Sequence, residues 1–190
     1  MIENKNNIIC IIPARGGSKG IPKKNITNFL GKPLLEHSID YAKTSDLISN
    51  IYVSTDSTEI AKIALENNVN VIDRPKSISG DTASTESALI HALKNIVDKP
   101  EVVILLQPTS PLRPKNSLND AINTFLSNNY DSLLSISPTH RFFWKINNKK
   151  AIPEYDFNNR PRRQDLESKD INYIENGSLY ISTYDNLIHN

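Results

Sequence analysis

The sequence predicts an α/β fold: a mostly parallel sheet between two layers of helix (α/β/α), with one small excursion from it. Two observations carry that expectation. Short, continuously apolar, β-branched runs recur along the chain, as in strands buried on both faces. Between them lie stretches with apolar residues every three or four positions, as in helices that pack one face. Strand and helix alternating in this rhythm imply parallel pairing with helices on both sides of the sheet. A length of 190 residues fits one such domain with a small appendage.

Residues 8–12 form the first strand, all apolar. Residues 51–53 and 69–72 are shorter strands, and 101–106 is a further central strand stopped by Pro108. Residues 132–136 and 178–182 complete the strand set. Among the helices, Leu34, Leu35, Ile39 and Ala42 share one face after Pro33, which suits a first turn. Ser57 is the expected cap of a helix reaching about Asn67 and burying Ile60, Ala61, Ala64 and Leu65. Residues 84–97 carry the clearest period, Ala88, Leu89, Ala92, Leu93, Ile96 and Val97, with Asp81 or Thr82 as cap. Residues 117–127 turn Leu118, Ala121, Ile122 and Phe125 inward. After Pro138 the character changes. Residues 141–146 are short and aromatic, 147–150 read as a hairpin turn, and 153–172 are polar, charged and interrupted by proline. The expected organisation is a core of 1–138 with 173–190, and an insertion of 139–172 that acts as a lid or a dimerisation arm.

Charge and composition narrow the function classes. Lysine plus arginine number 22 and aspartate plus glutamate 21, a net of +1. That balance argues against a surface built as a nucleic-acid footprint. Arg160, Arg162 and Arg163 stand beside Asp165, Glu167 and Asp170, so even this cluster makes no basic face. The single cysteine, Cys10, excludes an intramolecular disulfide and an all-cysteine zinc site. His37, His91, His140 and His189 are scattered, with no spacing suited to zinc or to a nucleophile and its base. The first apolar run is far too short to span a bilayer. A cytoplasmic protein without a membrane or nucleic-acid partner is the expectation.

The chemistry concentrates in residues 13–25, directly after the first strand, where open α/β sheets place their ligands. Gly16, Gly17 and Gly20 let backbone amides come close to a ligand. Arg15, Lys19, Lys23 and Lys24 add four positive charges with no acid among them. Amides and cations together are what phosphate oxygens require. The spacing matches neither GxGxxG nor GxxxxGK followed by Ser or Thr. Pro22 stiffens the second half of the loop.

Residues 11–25 resemble the N-terminal signature of the acylneuraminate cytidylyltransferases, the CMP-sialic acid synthetase family, with its relatives that activate legionaminic or pseudaminic acid. The resemblance continues through residues 53–56, 73–75, 79–83, 105–113, 163–166 and 175–181. It implies a Rossmann-like nucleotidyltransferase sheet, with transfer of CMP from CTP to the anomeric hydroxyl of a nine-carbon acidic sugar. It implies Arg15 and Lys24 as the catalytic cations. Ala14, Arg15, Gly16, Gly17, Ser18, Lys24, Asn25, Arg74, Asp81 and Thr85 match nucleotide-binding positions. Gln107, Thr109, Ser110 and Arg163 match the sugar side. Arg113 is open between a ligand-facing cation and an anchor of its loop. The insertion becomes a dimerisation region reaching over the partner's active site, hence an expected homodimer. Mg²⁺ is the expected cofactor. The family carries its metal ligands as Asp-x-Asp downstream of the returning strand, past Asn190, so the chain is expected to be C-terminally short and to lack them. Two alternatives stand beside this reading: a Kdo acceptor, and a CTP- or CMP-binding homologue with weak turnover.

Overall fold

The computed structural model describes residues 7–18, 20–165 and 171–189; the expectations for Lys19, Leu166, Glu167 and Asp170 lie outside the described residues. The chain divides into two compact units, Met1–Ser135 with Gly177–Asn190, and Ile136–Asn176.

Sheet and helices follow in the order β1 (Ile8–Pro13), β2 (Asn28–Phe29), β3 (Lys32–Pro33), α1 (Leu34–Ala42), β4 (Asn50–Thr55), α2 (Thr58–Glu66) and β5 (Asn70–Asp73). They continue with α3 (Thr85–Lys94), β6 (Val102–Leu106), α4 (Ser117–Ser127), β7 (Ser132–Thr139), β8 (Trp144–Asn147), β9 (Lys150–Pro153), β10 (Asn172–Thr183) and α5 (Tyr184–His189). Six strands form the main sheet in the order β5-β4-β1-β6-β10-β7. Strand β1 is parallel to β4 and β6, β4 is parallel to β5, and β10 returns antiparallel to β6.

The apolar strands explain the layering. Side chains alternate along a strand, so Ile8, Cys10 and Ile12 enter one core while Ile9 and Ile11 enter the other. Strand β6 divides the same way, Val102, Ile104 and Leu106 against Val103 and Leu105. The first core is closed by Leu35 and Ile39 of α1, Ile60 and Ala64 of α2, and Leu118, Ile122 and Phe125 of α4. The second is closed by Leu89, Ala92 and Leu93 of α3, with Leu187 and Ile188 of α5 at its margin. Cys10 is fully buried, and burial pushes its thiol far above the ordinary range, so it packs as a small apolar group.

Three local expectations are corrected, and one further stretch gains a structure. Helix α3 ends at Lys94 rather than near 97; Asn95 accepts the C-terminal position and Val97 is 97% exposed. Its cap is Ser84, whose Oγ accepts from the Ser87 amide at 3.1 Å, because residues 80–83 form a turn closed by Ala83 N donating to Gly80 O. Leu65 of α2 is 63% exposed; it lies five residues past Ile60, on the opposite side of the helix from the buried stripe. Residues 28–33, unassigned by pattern, make the small β2–β3 hairpin, with Asn28 Oδ1 accepting from Gly31 N at 3.1 Å and Gly31 at φ +91°.

In the second unit, β8 and β9 pair antiparallel across Asn148 and Lys149, at φ 48° and 62°. Two positive φ values in sequence are the requirement of a two-residue hairpin turn that matches strand twist. Tyr155 packs on Phe142 at 4.5 Å and meets Trp144 edge-on at 5.9 Å between ring centroids. The Arg160 guanidinium lies 4.4 Å from the Phe142 centroid.

Candidate functional site

Three parallel strands, β1, β4 and β6, run side by side and release their loops at one end of the sheet, together with β5. The loop after β1 is fastened first. Ala14, fully buried, donates its amide to Ser54 O of β4 at 2.9 Å. Gly16 donates to Asp56 Oδ1 at 2.8 Å. Farther on, Lys24 opens a short 3-10 turn, Lys24–Ile26, and Asn25 is buried there. Its Nδ2 donates back to Arg15 O at 2.9 Å, closing the loop on itself. A short polar residue at that position therefore sets the distance between Arg15 and Lys24.

The segment after β5 supplies Arg74. Its backbone amide donates to Thr55 O at 2.8 Å and its Nη2 to Ser54 O. The side chain is 6% exposed and its Nε has no hydrogen-bond partner in the structure. Burial lowers its pKa, the neighbouring Asp56 raises it, and Arg15 lowers it further. A buried guanidinium with a spare donor, beside a second cation, is a strong attractor for an anion.

The loop after β6 is rigid for a different reason. Arg113 turns inward under it: Nη2 donates to Gln107 O at 2.8 Å, Nη1 to Ser38 Oγ at 3.2 Å and Nε to Ser178 Oγ at 3.1 Å. Its guanidinium sits 5.0 Å from the Tyr41 centroid. Burial lowers its pKa, with Tyr41 and Cys10 acting the other way. Of its two readings, the anchor is the one the geometry supports.

These segments enclose a cleft of about 180 Å³. Arg15, Ser18, Lys24, Asn25, Arg74, Thr85, Gln107 and Thr109 line it, together with Pro13, Ala83, Ser84 and Pro108. Other singled-out residues lie elsewhere. Gly16 faces Asp56, Gly17 is exposed, and Ser110 donates its amide to Gln107 O at 3.2 Å without lining the cleft. Asp81 pairs with Arg15 at 2.9 Å. Arg163 belongs to the second unit, on a depression of about 760 Å³ shared with Phe142, Trp144, Tyr155 and Arg160. No acid stands within residues 13–25, but the fold brings two from elsewhere to its cations: Lys23, at φ 53°, points its Nζ to Glu59 at 2.9 Å, and Arg15 meets Asp81. Pro13, Ala83, Ser84 and Pro108 also line the cleft, and as uncharged prolines and small side chains their residue types do not mark them in sequence as ligand contacts.

Magnesium does not fit the residues described. Asp56, Asp81 and Glu59 are the carboxylates beside the loop, and they are taken up by the Gly16 amide, by Arg15 and by Lys23. Among the described residues no three His, Cys, Asp or Glu side chains gather as a metal site.

Fold and cleft together define a Rossmann-like nucleotidyltransferase architecture, with a cationic, glycine-rich loop at the carboxyl end of a parallel sheet. The sequence profile of the cytidylyltransferase family matches residues 9–181, and the chain belongs to that family. It is 38% identical over 180 residues to an N-acylneuraminate cytidylyltransferase of Streptococcus agalactiae, covering 92% of this chain and 43% of that one. It is 35% identical over 183 residues to a pseudaminic acid cytidylyltransferase of Campylobacter jejuni, covering 92% of this chain and 78% of that one. The chain thus spans less than half of the streptococcal relative. A solved CMP:2-keto-3-deoxy-manno-octonic acid synthetase complexed with CTP superposes with a TM-score of 0.72 at 17% identity, over 96% of this chain and 76% of that one; it shares the fold. No helix among the described residues is long and apolar enough to cross a membrane.

Proposed function

We propose that this chain carries the nucleotide site of an enzyme that transfers CMP from CTP to the anomeric hydroxyl of a nine-carbon acidic sugar. The observation that carries the reading is the convergence of Arg15, Lys24 and the buried Arg74 on one cleft at the carboxyl end of the sheet. The sugar oxygen attacks the α-phosphorus and a new P–O bond forms. The bond to the β-phosphate oxygen breaks, pyrophosphate leaves, and the hydroxyl proton passes to solvent. Negative charge gathers on the departing pyrophosphate, so cations fixed before the reaction lower its barrier. Arg15 and Lys24, spaced by Asn25, take the triphosphate; Ser18 and Thr85 add hydroxyl donors, and Arg74 holds the nucleotide from below. Gln107 and Thr109, on the loop stiffened by Pro108 and Arg113, face the sugar. Magnesium stays an expectation from family resemblance, and none of these steps is routed through it.

An N-acylneuraminic or pseudaminic-type acceptor is favoured over Kdo by relatives at 38% and 35% identity that carry those names. In this reading two copies associate through the second unit, where Trp144, Ile146, Phe157 and Tyr173 are 51, 73, 60 and 57% exposed, and Arg163 reaches the partner's sugar. The protein works in the cytoplasm.

The test is pyrophosphate release from CTP and Mg²⁺ with N-acetylneuraminic, legionaminic and pseudaminic acids and Kdo in parallel. It is run on the 190-residue chain and on the full product of its gene. Release with one nine-carbon acid supports the reading and names the acceptor. Release with Kdo alone, or CTP binding without release from either protein, overturns it.

A further inference from the structure

Behind the cleft, one carboxylate joins segments that lie far apart in the chain. Asp56 follows the last residue of β4 and precedes Ser57, the cap of α2. An acid there ordinarily serves the amides of its own helix. Here Oδ1 instead accepts from Gly16, 40 residues away, at 2.8 Å. Asp56 lines no part of the cleft, so any effect it has on a ligand passes through what it holds.

Gly16 fits this contact only because it lacks a side chain. A Cβ there would stand 2.9 Å from the Ser57 Cβ and 3.7 Å from Asp56 Oδ1. The turn at Gly16 is therefore seated on the start of α2 by one hydrogen bond and one missing methyl group. Beneath it, Ser54 O accepts from both Ala14 N and Arg74 Nη2. The end of β4 thus fixes the loop and Arg74 in one frame, and the Asp56 charge offsets part of the repulsion between Arg15 and Arg74.

We propose that Asp56 is a positioning residue for nucleotide binding, seating the Gly16 turn against α2 so that Arg15 and Lys24 are held ready for phosphate. The ligand in this inference rests on the CTP reading above; the seat is a property of the protein alone.

Two measurements on the 190-residue chain separate the two. One is CTP affinity by titration calorimetry; the other is amide exchange of residues 14–18 without nucleotide. Asp56→Ala is expected to weaken CTP at least tenfold and to speed exchange across 14–18. Asp56→Asn keeps an acceptor for Gly16; losing the charge increases the Arg15–Arg74 repulsion but strengthens the field on phosphate, and affinity stays within threefold. Gly16→Ala reproduces the Asp56→Ala loss, and the double variant is no weaker than the worse single one. Equal losses in Asp56→Ala and Asp56→Asn, or wild-type affinity in Asp56→Ala, overturn the seat. If the unaltered chain binds no CTP, the nucleotide reading fails and exchange alone decides: equal rates at 14–18 in the unaltered chain and in Asp56→Ala overturn the inference. Should Asp56→Ala not fold, wild-type affinity in Gly16→Ala overturns it.

Discussion

The cleft of the first unit and the depression of the second are both lined by arginine, and they differ in how those arginines are held. In the cleft, Arg74 is 6% exposed and bound to a backbone carbonyl, and Arg15 is tied to Asp81. In the depression, Arg160 lies on an aromatic face and Arg162 is paired with Asp165 at 2.6 Å, all on exposed surface. The depression is the larger, about 760 against 180 Å³, yet Arg160 and Arg162 are held there by a ring face and an exposed carboxylate rather than by a buried backbone carbonyl. Charge aimed in advance from a rigid frame stabilises a developing charge far more than charge that must be gathered from solvent. Size ranks these cavities one way and preorganisation the other; preorganisation is the better guide to chemistry.

The largest effect expected is on the frame. Arg113→Ala removes the Arg113 hydrogen bonds to Gln107 O, Ser38 Oγ and Ser178, leaving Gln107 O with the Ser110 amide alone, and opens a void under the loop. A loss of about 3 kcal/mol in urea unfolding is expected. Arg113→Lys recovers little, since one ammonium cannot reach all three sites. A loss below about 1 kcal/mol would remove the rigid frame from the comparison.

Next comes ligand affinity, where the two regions separate. Arg74→Met is expected to weaken CTP about 30-fold, roughly 2 kcal/mol, while Arg160→Ala stays within about twofold of the original affinity. Arg163→Ala leaves CTP binding alone and raises the acceptor KM about tenfold, the split expected of a group acting only on the sugar. Equal losses of CTP affinity in Arg74→Met and Arg160→Ala would erase the distinction. Adjacent lysines sharpen it further: Lys24→Met weakens CTP about tenfold, and Lys23→Met, already turned to Glu59, stays within about twofold.

The same contrast marks what could be read from sequence. The layers of the core were legible because residues 8–12 and 102–106 are apolar without interruption, and only a doubly covered strand tolerates that. The cationic loop was legible because glycine and lysine keep their chemistry in any fold. Its pairings were not: Arg15 with Asp81, and Gly16 with Asp56, join residues 66 and 40 positions apart. Arg113 showed the limit well. A cation beside two prolines reads equally as ligand contact or anchor, and only burial beneath Tyr41 and Ser178 favours the second. Val97 and Leu65 were misplaced because periodicity extends past a helix end and past the edge of a buried stripe, neither of which hydrophobicity alone marks.

The smallest expected effect tests the second unit by strengthening it. Asn148 and Lys149 turn the β8–β9 hairpin with both φ values positive. Asn accepts that region readily, whereas Lys at φ 62° brings its Cβ toward the following carbonyl. Glycine is the residue this turn favours at the second position. Lys149→Gly removes the clash but enlarges the freedom of the unfolded chain, and the two terms oppose each other. A net gain of about 0.5 kcal/mol is expected, visible as slower amide exchange in β8 and β9. Exchange in β1, β4 and β6 should not change, because those strands belong to the other compact unit and Lys149 contributes nothing to its core. Slower exchange in both sets would show that the two units unfold together, and the difference between a framed cleft and an unframed depression would then lie only in their local contacts.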